Sequence, residues 1–210
     1  MKATDIMHPE DAKAIQMIKS VPGYEKLVRL FMKLGYEMQY RGENLANMIR
    51  VTPHCYPQIY GLFKEVVNKT GIKEPELYIY NDPEMNAYTY GETRTFVALS
   101  SSIVEKLTPE ELKGIMAHEC GHILCKHALY KTMFRTLRDM GAFMGLIHRT
   151  LFAPLYLALQ YWNRKSELSA DRCGMIITSE EVYQSSLVKL ASGLKETPGM
   201  SRCLIEQGKQ

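Results

Sequence analysis

The chain has 210 residues, 46% of them apolar and 23% charged, with a formal net charge of +3. That length and apolar content suit one domain able to bury roughly 70% of its unfolded surface without disulfide staples, and no cluster of lysine and arginine interleaved with aromatics offers a face for nucleic acid. The five cysteines, Cys55, Cys120, Cys125, Cys173 and Cys203, form an odd set without repeated spacing, and Met1-Lys2-Ala3-Thr4-Asp5 carries no apolar signal core; a reducing, cytoplasmic setting with free thiols is expected.

Residues 1–55 read as a helical cover: Pro9 to Lys19, a Pro22-Gly23 break, an amphipathic run from Tyr24 to Tyr40 with Leu27, Leu30, Phe31 and Leu34 on one stripe, then Asn44 to Arg50. A rival expectation is that this segment blocks a cleft as a built-in inhibitor. Tyr56-Pro57 opens a helix that runs to about Lys69 and stops at Gly71. Beyond Pro75 the pattern changes to aromatic and branched residues, predicting strands at Glu76 to Tyr80, Asn86 to Gly91 and Thr95 to Ser100. Three short strands followed by a helix predict an α+β fold, mostly helical with a small three-stranded sheet, rather than alternating βαβ units.

Thr108-Pro109-Glu110-Glu111 supplies an N-cap threonine, a proline at the first helical position and a glutamate at the third, so a well-marked helix start precedes the apolar-periodic run from Leu112 to Met133. The stretch from Gly141 to Trp162 approaches the length of a membrane span, but His148, Arg149 and Pro154 interrupt it, and two packed or interfacial helices are expected. It is the candidate contact for a membrane surface or a partner. Arg164 to Arg172 is again helical in pattern, and Ser179-Glu180-Glu181 starts a last amphipathic helix through Leu194. Residues 56–195 form the expected core and 196–210 a loose polar tail.

The chemistry is concentrated in Ala117-His118-Glu119-Cys120-Gly121-His122. On a helix, residues four apart project from one face, so His118 and His122 can grip one zinc ion, while Glu119, about 100° round, can reach a metal-bound water without binding the metal. Imidazoles hold the ion, the ion acidifies the water, and a carboxylate takes its proton. Cys120 lies about 200° round from His118 and reads as core packing. A catalytic zinc usually has three protein ligands and an open position. His127 lies about 140° round from His122 and cannot join unless the helix ends first; the pattern that ends in a third histidine would want glycine at 125 and histidine at 128, where this chain has Cys125 and Ala128. Glu167 is the better candidate, because Asp171 stands on the same helical face and can accept a hydrogen bond from a ligating imidazole.

Together, His118-Glu119-Cys120-Gly121-His122 with His127, then Glu167-Leu168-Ser169-Ala170-Asp171-Arg172, preceded by Asn86-Ala87-Tyr88-Thr89-Tyr90-Gly91, resemble the gluzincin zinc metallopeptidases that include HtpX and the zinc-dependent CAAX prenyl endoproteases. The resemblance covers roughly residues 56 to 195. It implies one zinc per chain held by His118, His122 and Glu167, with Glu119 as general base and Asp171 behind a ligand. It implies too that Asn86, Ala87 and Tyr88 lie on an edge strand where a peptide substrate adds as a further strand. Many family members carry clear transmembrane helices, and here only 141–162 would serve. No histidine follows His148, so Tyr183 or Arg172 is the candidate to stabilise the transition state. Hydrolysis of peptide bonds in a peptide or protein substrate is the expected activity. The alternative is a non-hydrolytic partner-binding or chaperone-like module; a di-iron bundle would need a second Glu-x-x-His, which the chain lacks.

Overall fold

The computed structural model describes residues 1–23, 46–91, 94–131, 133–135 and 153–193, together with Lys26, Gly42 and Arg138. Most of the predicted helix from Tyr24 to Tyr40, the first half of the apolar stretch at 141–152, and the tail at 196–210 lie outside them.

Helix α1 (Ala3–Ile6) leads into α2 (Pro9–Lys19), which begins at its proline and ends where expected. The predicted helical piece from Asn44 to Arg50 is corrected: Met48–Val51 is strand β1. Its reason is tertiary, since Ile49 and Val51 lie opposite Ile79 and Leu77 of an antiparallel neighbour, and such pairing overrides weak local preference. Helix α3 (Pro57–Thr70) is stopped by Gly71 at φ 73°, a left-handed cap that glycine adopts without strain. Strands β2 (Glu76–Tyr80), β3 (Ala87–Tyr90) and β4 (Phe96–Ser100) follow at the predicted places. Among the described residues the sheet therefore has four strands rather than three, in the order β1-β2-β4-β3, with β2 and β4 parallel and the other two pairs antiparallel. Strand β3 lies at the edge.

Alternation along the strands sorts the side chains. Leu77, Ile79, Val97 and Leu99 pack with Phe63 and Val66 of α3 and with Ile115 and Met116 farther along, forming the main core; Tyr78, Tyr90, Phe96 and Ala98 cluster separately. Each fully buried aliphatic side chain there stabilises the fold by about 1.5–3 kcal/mol before entropy is counted.

After short helix α4 (Ser101–Lys106) comes α5 (Pro109–Leu124), whose predicted capping box is present: Thr108 Oγ1 accepts the Glu111 N–H and Glu111 Oε2 accepts the Thr108 N–H at 2.8 Å. The same Glu111 carboxylate receives Ser185 Oγ at 2.8 Å and Lys189 Nζ at 2.6 Å, tying helix α7 (Glu180–Ser192) to the start of α5. Helix α5 is shorter than the predicted run to Met133. It ends at Leu124, and Lys126 takes a left-handed conformation at φ 59°. The Lys126 N–H bonds the Ile123 carbonyl at 3.0 Å and the His127 N–H bonds the His122 carbonyl at 2.8 Å. These two bonds are those of a Schellman turn, made here with lysine where glycine is usual.

Helix α6 (Ala153–Ile177) is one 25-residue helix that continues through Trp162 and takes in the predicted helix from Arg164 to Arg172. Leu155, Leu159 and Trp162 pack on Ala14 and Ile18 of α2, so part of the apolar stretch is buried by the N-terminal segment. Among the described residues no helix is long and apolar enough to cross a membrane. Helices α5 and α6 meet at Gly121, where a Cβ would come within 2.8 Å of Cys173 Cβ and 3.2 Å of Ala170 Cα. This close approach carries Glu167, one turn before Ala170, over the histidines.

Candidate metal centre

His118 and His122 leave α5 one turn apart with ring centroids separated by 4.8 Å. Glu167 comes to them from α6: its Oε2 lies 3.1 Å from His118 Nε2 and 3.6 Å from His122 Nε2. One ligand atom from each residue falls within 4.8 Å of the others, and among the described residues this is the one such group of three or more histidine, cysteine or acidic side chains. His122 is wholly buried, and its Nε2 has no hydrogen-bond partner in the protein. A buried polar atom left unmatched is costly; here it sits beside a second imidazole nitrogen and a carboxylate oxygen, a donor set that fits zinc.

The electrostatics are those of converging ligands. Burial alone would raise the Glu167 carboxyl, but the two imidazoles and Lys131 hold it well below the usual carboxylate range. Lys131 Nζ donates to the other oxygen, Oε1, at 2.6 Å, which leaves Oε2 to face the imidazoles. Burial would lower His118, yet Asp171 and Glu167 push it up to about 9, whereas burial and the charge of Lys131 drive His122 well below its ordinary value.

Asp171 is where the helical spacing places it, with Oδ1 3.0 Å from His118 Nδ1. The Tyr183 hydroxyl donates to the same oxygen at 2.6 Å and lies 2.7 Å from His118 Nδ1. With that nitrogen holding its proton between two acceptors, Nε2 is the His118 nitrogen that a metal would take once its own proton is lost. Tyr183 thus reaches the site, but its hydroxyl is occupied behind His118. Arg172 does not reach it: Nη1 donates to the carbonyl of Met7, between α1 and α2, at 3.5 Å. A Cβ at Gly174 would collide with the Tyr183 ring, so that glycine admits the tyrosine.

Glu119 is 6% exposed and held from the sheet: Thr89 Oγ1 donates to its Oε2 at 2.8 Å and lies 3.1 Å from its carbonyl. A cleft of about 320 Å³ opens over these residues, lined by Asn86, Ala87, Tyr88 and Thr89 from β3, by His118 and Glu119, by Lys131 and Arg135, and by Glu167, Asp171 and Tyr183. None of the described residues of 1–55 lines it, so these residues give the inhibitor idea no support.

Four residues escaped the sequence reading. Thr89 had a signal, since it alternates with Ala87 on a predicted strand and so shares its face. Lys131 had none beyond a polar helix position. His127 was visible as a histidine, but its place depended on the turn at Lys126. Asp11 lies 2.9 Å from His127 Nε2, a contact across 116 positions of chain that no local pattern marks. Cys120, Cys125 and Cys173 are buried thiols pushed up by burial and stay out of the cluster.

A helix bearing His-Glu-x-x-His, a glutamate delivered by a later helix and an edge strand beside both place the chain in the gluzincin metallopeptidase class. The chain belongs to Peptidase family M48, a family of metal-dependent peptidases whose profile matches residues 53–202. It is similar to the plastoglobule-localized metallopeptidase 48, chloroplastic, of Arabidopsis thaliana, with 30% identity over 201 residues covering 92% of this chain and 57% of that protein. The chain thus spans less than two thirds of that relative's length. No solved structure matches it.

Proposed function

We propose that the protein is a zinc-dependent endopeptidase in which His118, His122 and Glu167 hold one zinc ion per chain. The observation that carries this is His122 Nε2, fully buried and unpartnered next to His118 Nε2 and Glu167 Oε2. A zinc ion bound there supplies Lewis acidity and lowers the pKa of a water to about 7.

The chain's own part is positioning and proton transfer. Glu119 accepts the proton that water loses as it adds to the scissile carbonyl, then delivers it to the amine nitrogen as the C–N bond breaks. Thr89, by bonding Oε2, fixes the rotation of that carboxylate. The substrate backbone is bound along β3. The Ser100 N–H bonds the Asn86 carbonyl at 2.9 Å, which makes Asn86 and Ser100 a hydrogen-bonded pair. In an antiparallel ladder such pairs alternate, so Tyr88 and Tyr90 also bond β4. Ala87 and Thr89 then turn their N–H and C=O groups to the open edge, where an extended peptide can pair. Asn86 and Tyr88 line the same cleft with their remaining atoms.

The catalytic unit in this reading is 56–195, with α1 and α2 packed on its helices and β1 adding a strand to its sheet. The thiols of Cys55, Cys120, Cys125 and Cys173 are free, which supports a reducing, cytoplasmic setting. Membrane association through 141–162 is the alternative, and the plastoglobule name of the Arabidopsis relative favours it.

Glu119→Gln removes the base and no ligand. It should retain about one zinc per chain by elemental analysis and lose casein cleavage by about 10²–10⁴-fold. A variant as active as the wild type would overturn Glu119 as the base, whereas wild-type protein that binds zinc but cleaves nothing would favour the partner-binding module.

A further inference from the structure

The two imidazoles of the proposed centre are supported differently. His118 has a carboxylate directly behind it. His122 has another histidine: its Nδ1 is 3.0 Å from Nδ1 of His127, returned to it by the turn at Lys126. Behind His127 lies Asp11 of α2, with Oδ2 2.9 Å from Nε2 and to the side of the N–H direction, so charge attraction rather than an aligned hydrogen bond carries that link. Asp11, His127 and His122 are all 0% exposed.

We propose that Asp11 and His127 are positioning residues that fix the tautomer of His122, making the N-terminal helix a working part of the metal centre. This rests on the zinc reading above.

When each ring carries one proton, nitrogens 3.0 Å apart are joined by one of them, one nitrogen donating and the other accepting. The direction is set at the far end. The Asp11 carboxylate already accepts Trp162 Nε1 at 3.0 Å and Ser169 Oγ at 2.5 Å, and as a buried anion it draws the His127 proton to Nε2. His127 Nδ1 is then an acceptor, His122 Nδ1 must donate to it, and His122 Nε2 is left with its lone pair toward His118 and Glu167. Reversing either link would put a hydrogen on the atom that is to bind zinc. A carboxylate and two imidazoles are costly to hold in a dry core for packing alone. The pairwise order explains their presence, and it explains why α2 is docked on α6, with the His8 N–H bonded to Ser169 Oγ at 2.9 Å beside the carboxylate.

The test uses the full chain and zinc alone. In ¹⁵N-histidine NMR spectra of the zinc-loaded wild type, His122 should be protonated at Nδ1 and His127 at Nε2. In competition with a chromophoric chelator, Asp11→Asn and His127→Leu should each weaken zinc binding by about 10–100-fold. The double variant should be no weaker than the worse single one, because the two act as one chain. Circular dichroism of the metal-free variants separates this from unfolding, and where a variant does not fold the wild-type tautomers decide. A proton on the opposite nitrogens overturns the proposal, as do zinc affinities within about threefold of wild type in either folded variant. Wild-type protein that binds no zinc overturns the zinc reading itself, and with it this chain; wild-type zinc binding with unaffected variants overturns the chain alone.

Discussion

His118 and His122 stand one turn apart on a single helix, yet opposite ends of the protein hold them. Behind His118 are Asp171 and Tyr183, from α6 and α7, in a cleft that leaves the Asp171 side chain 32% exposed. Behind His122 are His127 and Asp11, with no exposure at all. The half-open support uses a carboxylate touching the imidazole. The dry one interposes a second ring between the imidazole and the charge. The comparison teaches that a two-histidine motif specifies which atoms face a metal, while the rest of the fold decides how each ring is charged and turned.

That contrast can be broken first with pH. In metal-free protein His118 is raised to about 9, by Asp171 and Glu167 against burial, whereas His122 is pushed below its ordinary value by burial and Lys131. His118 therefore stabilises the metal-free fold fully below about pH 6.5, and this contribution is lost as pH rises toward 9. In the proposed centre zinc would compete with the same proton. Affinity should climb between pH 6.5 and 9 by on the order of a hundredfold, with release of about one proton per zinc. Calorimetry in buffers of different ionisation enthalpy measures that proton; a flat affinity would remove His118 as the site of competition.

A smaller effect is expected from Asp171→Asn, which keeps the shape behind His118 and removes its charge. Zinc affinity should fall by about 10–100-fold in chelator competition. The metal-free pH dependence just described should shrink along with it, a change that Asp11→Asn should not produce. The smallest effect sharpens the other side. Lys126 holds a left-handed conformation that costs a non-glycine residue roughly 1–2 kcal/mol. Lys126→Gly should raise stability by about 1 kcal/mol in urea denaturation while leaving zinc affinity unchanged, because the turn that returns His127 is kept.

The comparison also separates what the sequence made legible from what it did not. His118, Glu119, His122, Glu167 and Asp171 could be grouped because each relation is either a four-residue helical step or part of a motif, and the capping box at Thr108 placed the first helix. The edge strand was legible from its residue types and from resemblance. Strand β1 was not, because Met48-Ile49-Arg50-Val51 becomes a strand only by pairing with β2. His127 could be seen to join only if the helix ended first, and it does end, but at a lysine whose backbone preference gives no warning. Asp11 was read as part of a cover because nothing within one element relates positions 11 and 127. Arg172 is a candidate only because no histidine follows His148, and the rotation of α6 turns it to the Met7 carbonyl instead.

Zinc-edge X-ray absorption on the purified, zinc-loaded protein tests the central assignment most directly. The account predicts a low coordination number with nitrogen and oxygen scatterers at about 2.0–2.2 Å, including the outer-shell pattern of two imidazoles, and no sulfur. A sulfur shell at about 2.3 Å, or a single imidazole, would contradict it.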